Sequence, residues 1–206
     1  MTRTTNSNMS DVTQKWVDLL IPFSSSYSAY FSATEISKKT GIPQQTASRG
    51  LNELAKNNLI NYRTEGRNKQ FYLDLKKQSS KNILNIIENH KALKFLIENK
   101  EASVIINEIT LRCKSLILFG SYAKGTQSKD SDLDIVVIGS KKDIDDIKRR
   151  QAIEINEHKI SYSELSMLLK KENPLAIEIA GNHIFFGNIS ELTDILWRWN
   201  YARRQR

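Results

Sequence analysis

The sequence predicts an α/β protein of the α+β kind in two parts, a helical part closed by a short hairpin and a part in which strands and helices interleave. Three observations predict it. Two stretches with helical spacing meet at Gly41 and lead into paired runs of branched and aromatic residues around "GRN". Two apolar runs of strand length, "KSLILFG" and "DLDIVVIG", stand on either side of a Gly-Ser turn. The length, 206 residues, suits two small domains of about 100 residues each.

Taken in order, the polar start "MTRTTNSNMSD" lacks the apolar stretch of a signal peptide. Val12, Trp16, Leu19 and Leu20 then fall at helical spacing and predict a first amphipathic helix. Ser32, with Glu35 three residues on, is a capping box for a short helix that stops at Gly41. Pro43 opens a second helix whose apolar face carries Ala47, Leu51 and Leu54. Gly50 inside it costs about 1 kcal/mol against alanine, which suggests a close backbone approach. "LINYRTE" and "KQFYLDL" form the hairpin. Residues 79 to 113 are rich in helix formers and predict one or two linking helices, then the helix that opens the second part. "KDIDDIKRR" reads as a short helix, "AIEINEHKI" as an alternating strand, "SYSELSMLLKKE" as a helix, and the chain closes with a helix from about Ser190.

Composition narrows the function classes. No apolar run approaches the roughly 20 residues that cross a bilayer, and the expected location is the cytoplasm. Cys113 is the one cysteine, so intrachain disulfides and thiolate metal clusters are excluded, and a packing role is expected. Net charge is +8, which favours phosphate-bearing partners. Residues 1–78 carry 11 basic and 6 acidic side chains, net +5, and residues 79–206 carry 20 and 17, net +3, so the excess is denser in the first part.

The helix pair, Gly41 turn and hairpin resemble the winged helix-turn-helix family over roughly residues 11–76. The resemblance implies DNA binding. The second helix would offer Gln44, Gln45, Thr46, Ser48, Arg49 and Asn52 to the major groove, and Arg63, Arg67 and Lys69 on the hairpin would meet phosphates. The competing reading is a winged domain used for dimerisation or protein contact.

The chemistry is concentrated in "LILFGSYAKGTQSKDSDLD", residues 117–135. Gly120 and Ser121 end a strand and begin a helix, where backbone amides can face an anion. Lys124 lies one turn later, and Ser131 precedes the acids. In an extended strand Asp132 and Asp134 share a face, with Leu133 turned to the core. Two crowded carboxylates favour a cation between them, and hard oxygen ligands suit Mg²⁺ or Mn²⁺.

G-S-x-x-x-G followed by S-D-x-D resembles the nucleotidyltransferase superfamily related to DNA polymerase beta, above all its minimal members, over about residues 100–195. The resemblance implies a mixed sheet flanked by helices, a nucleoside triphosphate bound with divalent metal, and transfer of a nucleoside monophosphate with release of pyrophosphate. It makes Gly120, Ser121, Lys124 and Ser131 nucleotide-binding. It makes Asp132 and Asp134 catalytic metal ligands, with a third acid on a later strand. Glu154 is the candidate for that acid; Asn156 and His158 lie on its face and Glu157 on the opposite one. Acceptors in the family include a protein hydroxyl, an RNA end and a small molecule, and a toxin–antitoxin component is among the uses it allows.

The expected organisation is therefore a winged helix-turn-helix at 1–78, a helical linker at 79–99 and a minimal nucleotidyltransferase domain at 100–206. A homodimer is a further expectation. The alternative function is a transcriptional regulator whose second domain senses nucleotide without turning it over. Asp143, Asp145 and Asp146, mixed with basic residues, are expected to form a solvated face. His158 and His183 are expected to be ordinary polar or packing residues, and "ARRQR" a solvated basic end.

Overall fold

The computed structural model describes residues 16–205. The polar start, Val12 of the first predicted helix and Arg206 lie outside the described residues. Residues 16–20 are helical and run into a 3-10 turn, Ile21–Ser25, that carries Pro22. Helix α1 is Ala33–Thr40. The Ser32 hydroxyl accepts from the Glu35 N–H at 3.2 Å, and the Glu35 carboxylate accepts from the Ser32 N–H at 2.7 Å. Gly41, with φ +73°, ends the helix in the left-handed conformation. Helix α2, Gln44–Lys56, buries Ala47, Leu51 and Leu54. The close approach at Gly50 is made by Leu19, because a Cβ at 50 would stand 2.4 Å from Leu19 Cδ1. Strands β1, Asn61–Glu65, and β2, Asn68–Tyr72, form the antiparallel hairpin, and Phe31 bridges Phe71 beside it.

Residues 78–98 form a single helix, α3, Gln78–Glu98, broken at Asn99 from α4, Lys100–Thr110. The elements that follow are β3, Ser115–Leu118; α5, Gly120–Lys124; β4, Leu133–Ile138; α6, Asp145–Lys148; β5, Ile155–Ile160; α7, Tyr162–Lys170; α8, Pro174–Gly181; β6, Ile184–Gly187; and α9, Ile189–Arg204. The four strands make a mixed sheet in the order β5-β4-β3-β6, in which β4 and β5 run parallel and the other two pairings are antiparallel. The observed class is thus the expected α+β one.

Both faces of the sheet are covered, as the near-continuous apolar run of β4 requires. Leu133, Ile135 and Val137 of β4 pack with α4 and α6. Val136 and Ile138 face the other way, into a larger core shared with α7, α8 and α9. That larger core continues without a break into Phe23, Tyr27, Leu51, Leu54, Phe71 and Leu73 of the first part. Helix α3 lies along edge strand β6; its Ile83, Leu84 and Ile87 belong to the larger core, and its Ala92 and Phe95 to the smaller one. It covers an edge that would otherwise present unpaired backbone.

The two parts are also tied by polar contacts. Glu88 of α3, fully buried, accepts from the Tyr27 hydroxyl at 3.0 Å and from Lys91 Nζ at 2.9 Å, and lies 3.2 Å from His183 Nε2. His183 stacks on Phe185, with ring centroids 4.1 Å apart. The C-terminal basic residues are not all solvated: Arg204 donates to the Leu73 carbonyl at 3.1 Å and lies over the rings of Tyr30 and Tyr72. Two acids of the run are ion-paired at the surface, Asp146 with Arg112 at 2.8 Å and Asp143 with Lys159 at 3.1 Å. Cys113 is half-buried, and burial pushes its thiol up to about 11.

The Glu88 cluster sets an acid limit on stability. Burial raises the Glu88 carboxyl, but Lys91 and His183 outweigh it and hold the group at about 2, below its ordinary 4.5. Burial, with Lys91, lowers His183 below 6.5. For both groups the unfolded chain takes up the proton first as pH falls. Stability is therefore complete above about pH 6.5 and declines below it, most steeply from about pH 4.5 towards 2. Thermal melts across pH 7.5 to 3 are expected to show this decline. Glu88→Gln is expected to flatten its lower part and to cost roughly 3 kcal/mol at pH 7, because Lys91 loses its partner.

Candidate active site

The C-terminus of β3 and the N-termini of β4, β5 and β6 meet at one end of the sheet. There the Phe119 N–H donates to the Asp134 carbonyl at 3.0 Å, and the chain turns at Gly120, φ +67°, into α5. Asp134 folds back over this turn: a Cβ on Gly120 would lie 2.1 Å from Asp134 Oδ2. Only glycine has both the conformational freedom and the missing atom that this approach requires.

Leu133, fully buried, anchors the start of β4 on one face of the sheet, and Asp132 and Asp134 emerge half-exposed on the other. The two carboxylates converge. Asn156 Nδ2 is 3.2 Å from Asp132 Oδ2 and 3.2 Å from Asp134 Oδ1. Asn156 reaches them because β5 is parallel to β4 with Asn156 opposite Asp134. The preceding loop is pinned by Ser131, whose Oγ accepts from the Ser128 N–H at 2.8 Å.

The structure brings Gly120, Asp132, Asp134 and Asn156 together, with Ser121 next in the chain and half-exposed. Two other sequence-predicted residues make no side-chain contact with the acid pair. Lys124 Nζ is bonded to Glu178 Oε1 at 2.7 Å and, with Lys39, Lys91 and Lys94, lines a cleft of 650 Å³ between the two parts. Glu154 lies exposed just before β5 and accepts from the Leu133 N–H through its backbone carbonyl at 2.8 Å. Among the described residues no three His, Cys, Asp or Glu side chains converge as a metal-ligating group; Glu154 precedes Ile155 as Asp132 precedes Leu133, so the parallel register sets its backbone beside Asp132 with its side chain exposed.

Sequence alternation puts Asn156 and Glu154 on one face, and the parallel register sets Asn156 opposite Asp134 and Glu154 across from Asp132; the side chain hydrogen-bonded to both aspartates is Asn156. The donor set fits a hard divalent cation. Two carboxylates already converge on one point, and the remaining positions of an octahedral Mg²⁺ or Mn²⁺ are suited to water and phosphate oxygens.

In the first part, Gln45, Thr46, Arg49 and Arg67 are exposed, and Ser48 is half-exposed. The other candidate DNA contacts have partners within the chain. Gln44 donates to Thr34 Oγ1 at 2.9 Å, and Lys69 donates to Asn52 Oδ1 at 2.6 Å. Arg63 lies 4.0 Å over the Tyr30 ring and 3.6 Å from Glu65.

Residues 100–183 match the family described as nucleotidyltransferase domain, a segment that contains the whole constellation from Gly120 to Asn156. The match supports a nucleotidyl-transfer function and, with it, a nucleoside triphosphate substrate. Neither the curated proteins nor the solved structures contain a match to the chain.

The approach of Asp134 to Gly120 makes a sharp test. Gly120→Ala adds about 1–2 kcal/mol of left-handed strain and a methyl that must displace the Asp134 carboxylate. Because the turn lies at the sheet's end, calorimetry is expected to show uptake of a Mg²⁺–triphosphate weakened about tenfold or more, about 1.4 kcal/mol, while the melt of the cores shifts by only a few degrees.

Proposed function

We propose that this chain is a Mg²⁺- or Mn²⁺-dependent nucleotidyltransferase that moves a nucleoside monophosphate from a nucleoside triphosphate to an acceptor hydroxyl, directed by a DNA-binding winged helix-turn-helix module in its first part. The observation that carries the reading is the convergence of Asp132 and Asp134 on one point beside the Gly120–Ser121 turn. Asp132 and Asp134 would hold the cation. When bound, it neutralises phosphate charge and, as a Lewis acid, polarises the phosphoryl group for in-line displacement.

The chain's own groups supply position. The backbone N–H groups and hydroxyl of the Gly120–Ser121 turn orient the phosphates. Ser131 fixes the loop that presents Asp132. Gln45, Thr46, Ser48 and Arg49 on α2, with Arg67 on the hairpin, would meet DNA. A protein partner, as in a toxin–antitoxin pair, is an acceptor class that such a module would serve, and a homodimer would present two modules to DNA.

One observation favours a second reading, a regulator that binds nucleotide without turnover: the third side chain on the acid pair is a neutral amide. The two readings part in one experiment. Purified chain with labelled triphosphates, Mg²⁺ or Mn²⁺ and cell extract is expected to label an acceptor, and Asp132→Ala with Asp134→Ala is expected to abolish the label. Labelling that survives the double change rejects the site, and nucleotide binding without any labelling supports the sensor.

For the module, Arg49→Ala is expected to weaken DNA binding. If Arg49 meets a phosphate, the slope of log K against log[salt] should fall by about 1. DNA binding indifferent to Arg49→Ala and Arg67→Ala together would remove α2 and the hairpin tip from the interface.

A further inference from the structure

The side chain between the two aspartates is not an acid. Asn156 Nδ2 lies 3.2 Å from an oxygen of each aspartate. An amide has two faces: its nitrogen carries two N–H donors, and its oxygen carries two acceptor lone pairs. With the nitrogen inward, each carboxylate receives one donor, and a neutral group bridges two like charges. A half-turn of the terminal amide exchanges the oxygen for the nitrogen at the same place, with little change in the rest of the side chain. A cation between the aspartates repels the N–H edge and attracts the oxygen, so cation uptake and this half-turn are one event.

The same chemistry limits the number of ions. A carboxylate offers two charged oxygens and can bridge two cations, whereas an amide offers one neutral oxygen. Among the described residues no third His, Cys, Asp or Glu joins the pair as a metal-ligating group, and Glu154, across from Asp132 by the register, is exposed. Two aspartates and one amide oxygen therefore hold one cation adequately and a second poorly, and the phosphates must supply much of the remaining charge.

We infer that Asn156 is a two-state ligand: its nitrogen bridges Asp132 and Asp134, and it turns its oxygen to a single divalent cation that enters together with the triphosphate. The inference rests on the proposed nucleotide site and adds the ion count, the order of uptake and a residue outside the expected set. It also makes Asn156 unable to take a proton from the acceptor, unlike a carboxylate at the same position.

The test is a Mn²⁺ titration of the full chain, followed by the electron paramagnetic resonance of free Mn²⁺, with and without a non-hydrolysable triphosphate analogue. The wild-type chain is expected to bind one Mn²⁺ with the analogue and at least about tenfold more weakly without it. Asn156→Asp is expected to bind Mn²⁺ without the analogue at least about tenfold more tightly than wild type, and to take a second ion with the analogue. On the wild-type chain alone, Mg²⁺ with the analogue is expected to shift the Asn156 side-chain NH₂ resonances, as they lose their carboxylate partners.

Two Mn²⁺ on the wild-type chain, an Asn156→Asp chain with unchanged affinity and count, or unmoved NH₂ resonances would overturn the inference and leave the nucleotide site standing. No analogue-dependent Mn²⁺ on the wild-type chain, or uptake indifferent to Asp132→Ala, would instead remove the nucleotide site itself.

Discussion

The site depends on one steric fact, that a carboxylate oxygen occupies the space beside Gly120 where any other residue would carry a Cβ. From this contact the rest follows by geometry. β3 must end before Gly120 so that the chain can turn, and β4 must begin at Leu133 so that Asp134 faces the turn. Burial of Leu133 then fixes the phase of the strand, and the period of two delivers Asp132 to the same face. Two carboxylates held this near each other are costly in any medium less polar than water, where like charges 4 Å apart repel by about 4 kcal/mol at an effective dielectric of 20. Asn156 relieves the repulsion in part by offering one N–H to each.

The two parts of the chain do not hang on a bare linker. Helix α3 is embedded, with Ser80, Ile83, Leu84, Ile87 and Glu88 buried along its first half. Its Glu88 joins Tyr27 of the first part to His183, immediately before β6. Arg204, near the end of α9, reaches back to Leu73, Tyr30 and Tyr72 at the base of the hairpin. Relative motion of the parts would break a continuous apolar core and open a buried charge at the same time. Any partner held on α2 and the hairpin is therefore held at a nearly fixed distance from the Gly120 turn.

What was legible in the sequence was local. The Ser32–Glu35 box, the Gly41 stop, the hairpin and the alternation of β5 all appear where short-range rules place them. The turn and acid pair were legible because Gly120, Asp132 and Leu133 act within 14 residues of one another. What was not legible needed long-range register. Alternation put Glu154 and Asn156 on one face, but that Asn156 donates to both aspartates needed the pairing of β5 with β4 and the side-chain contacts across it. Glu88 read as one more helix former, and only the meeting of α3 with Tyr27 and His183 shows it to be buried. The same holds for Arg204, whose partners lie more than a hundred residues away in the chain.

The distribution of charge bears on how a triphosphate reaches the site. The chain carries an excess of +8. Among the described residues the side chain hydrogen-bonded to both aspartates is the neutral Asn156, and Lys124 is turned towards Glu178 and the lysine-lined cleft. A bare triphosphate approaching two aspartates meets net repulsion, so on the proposed reading the cation is needed for binding as well as for chemistry. On the proposed reading Lys124 would respond once the phosphates arrive. Its pair with Glu178 leaves the two side chains 41% and 38% exposed, and pairs of that kind are worth about 0–1 kcal/mol. Release from Glu178 costs little, whereas a charge-assisted bond to phosphate is roughly twice as strong as a neutral one. On the proposed reading Lys124 is thus a cation whose contact with Glu178 is weak enough to be exchanged for phosphate.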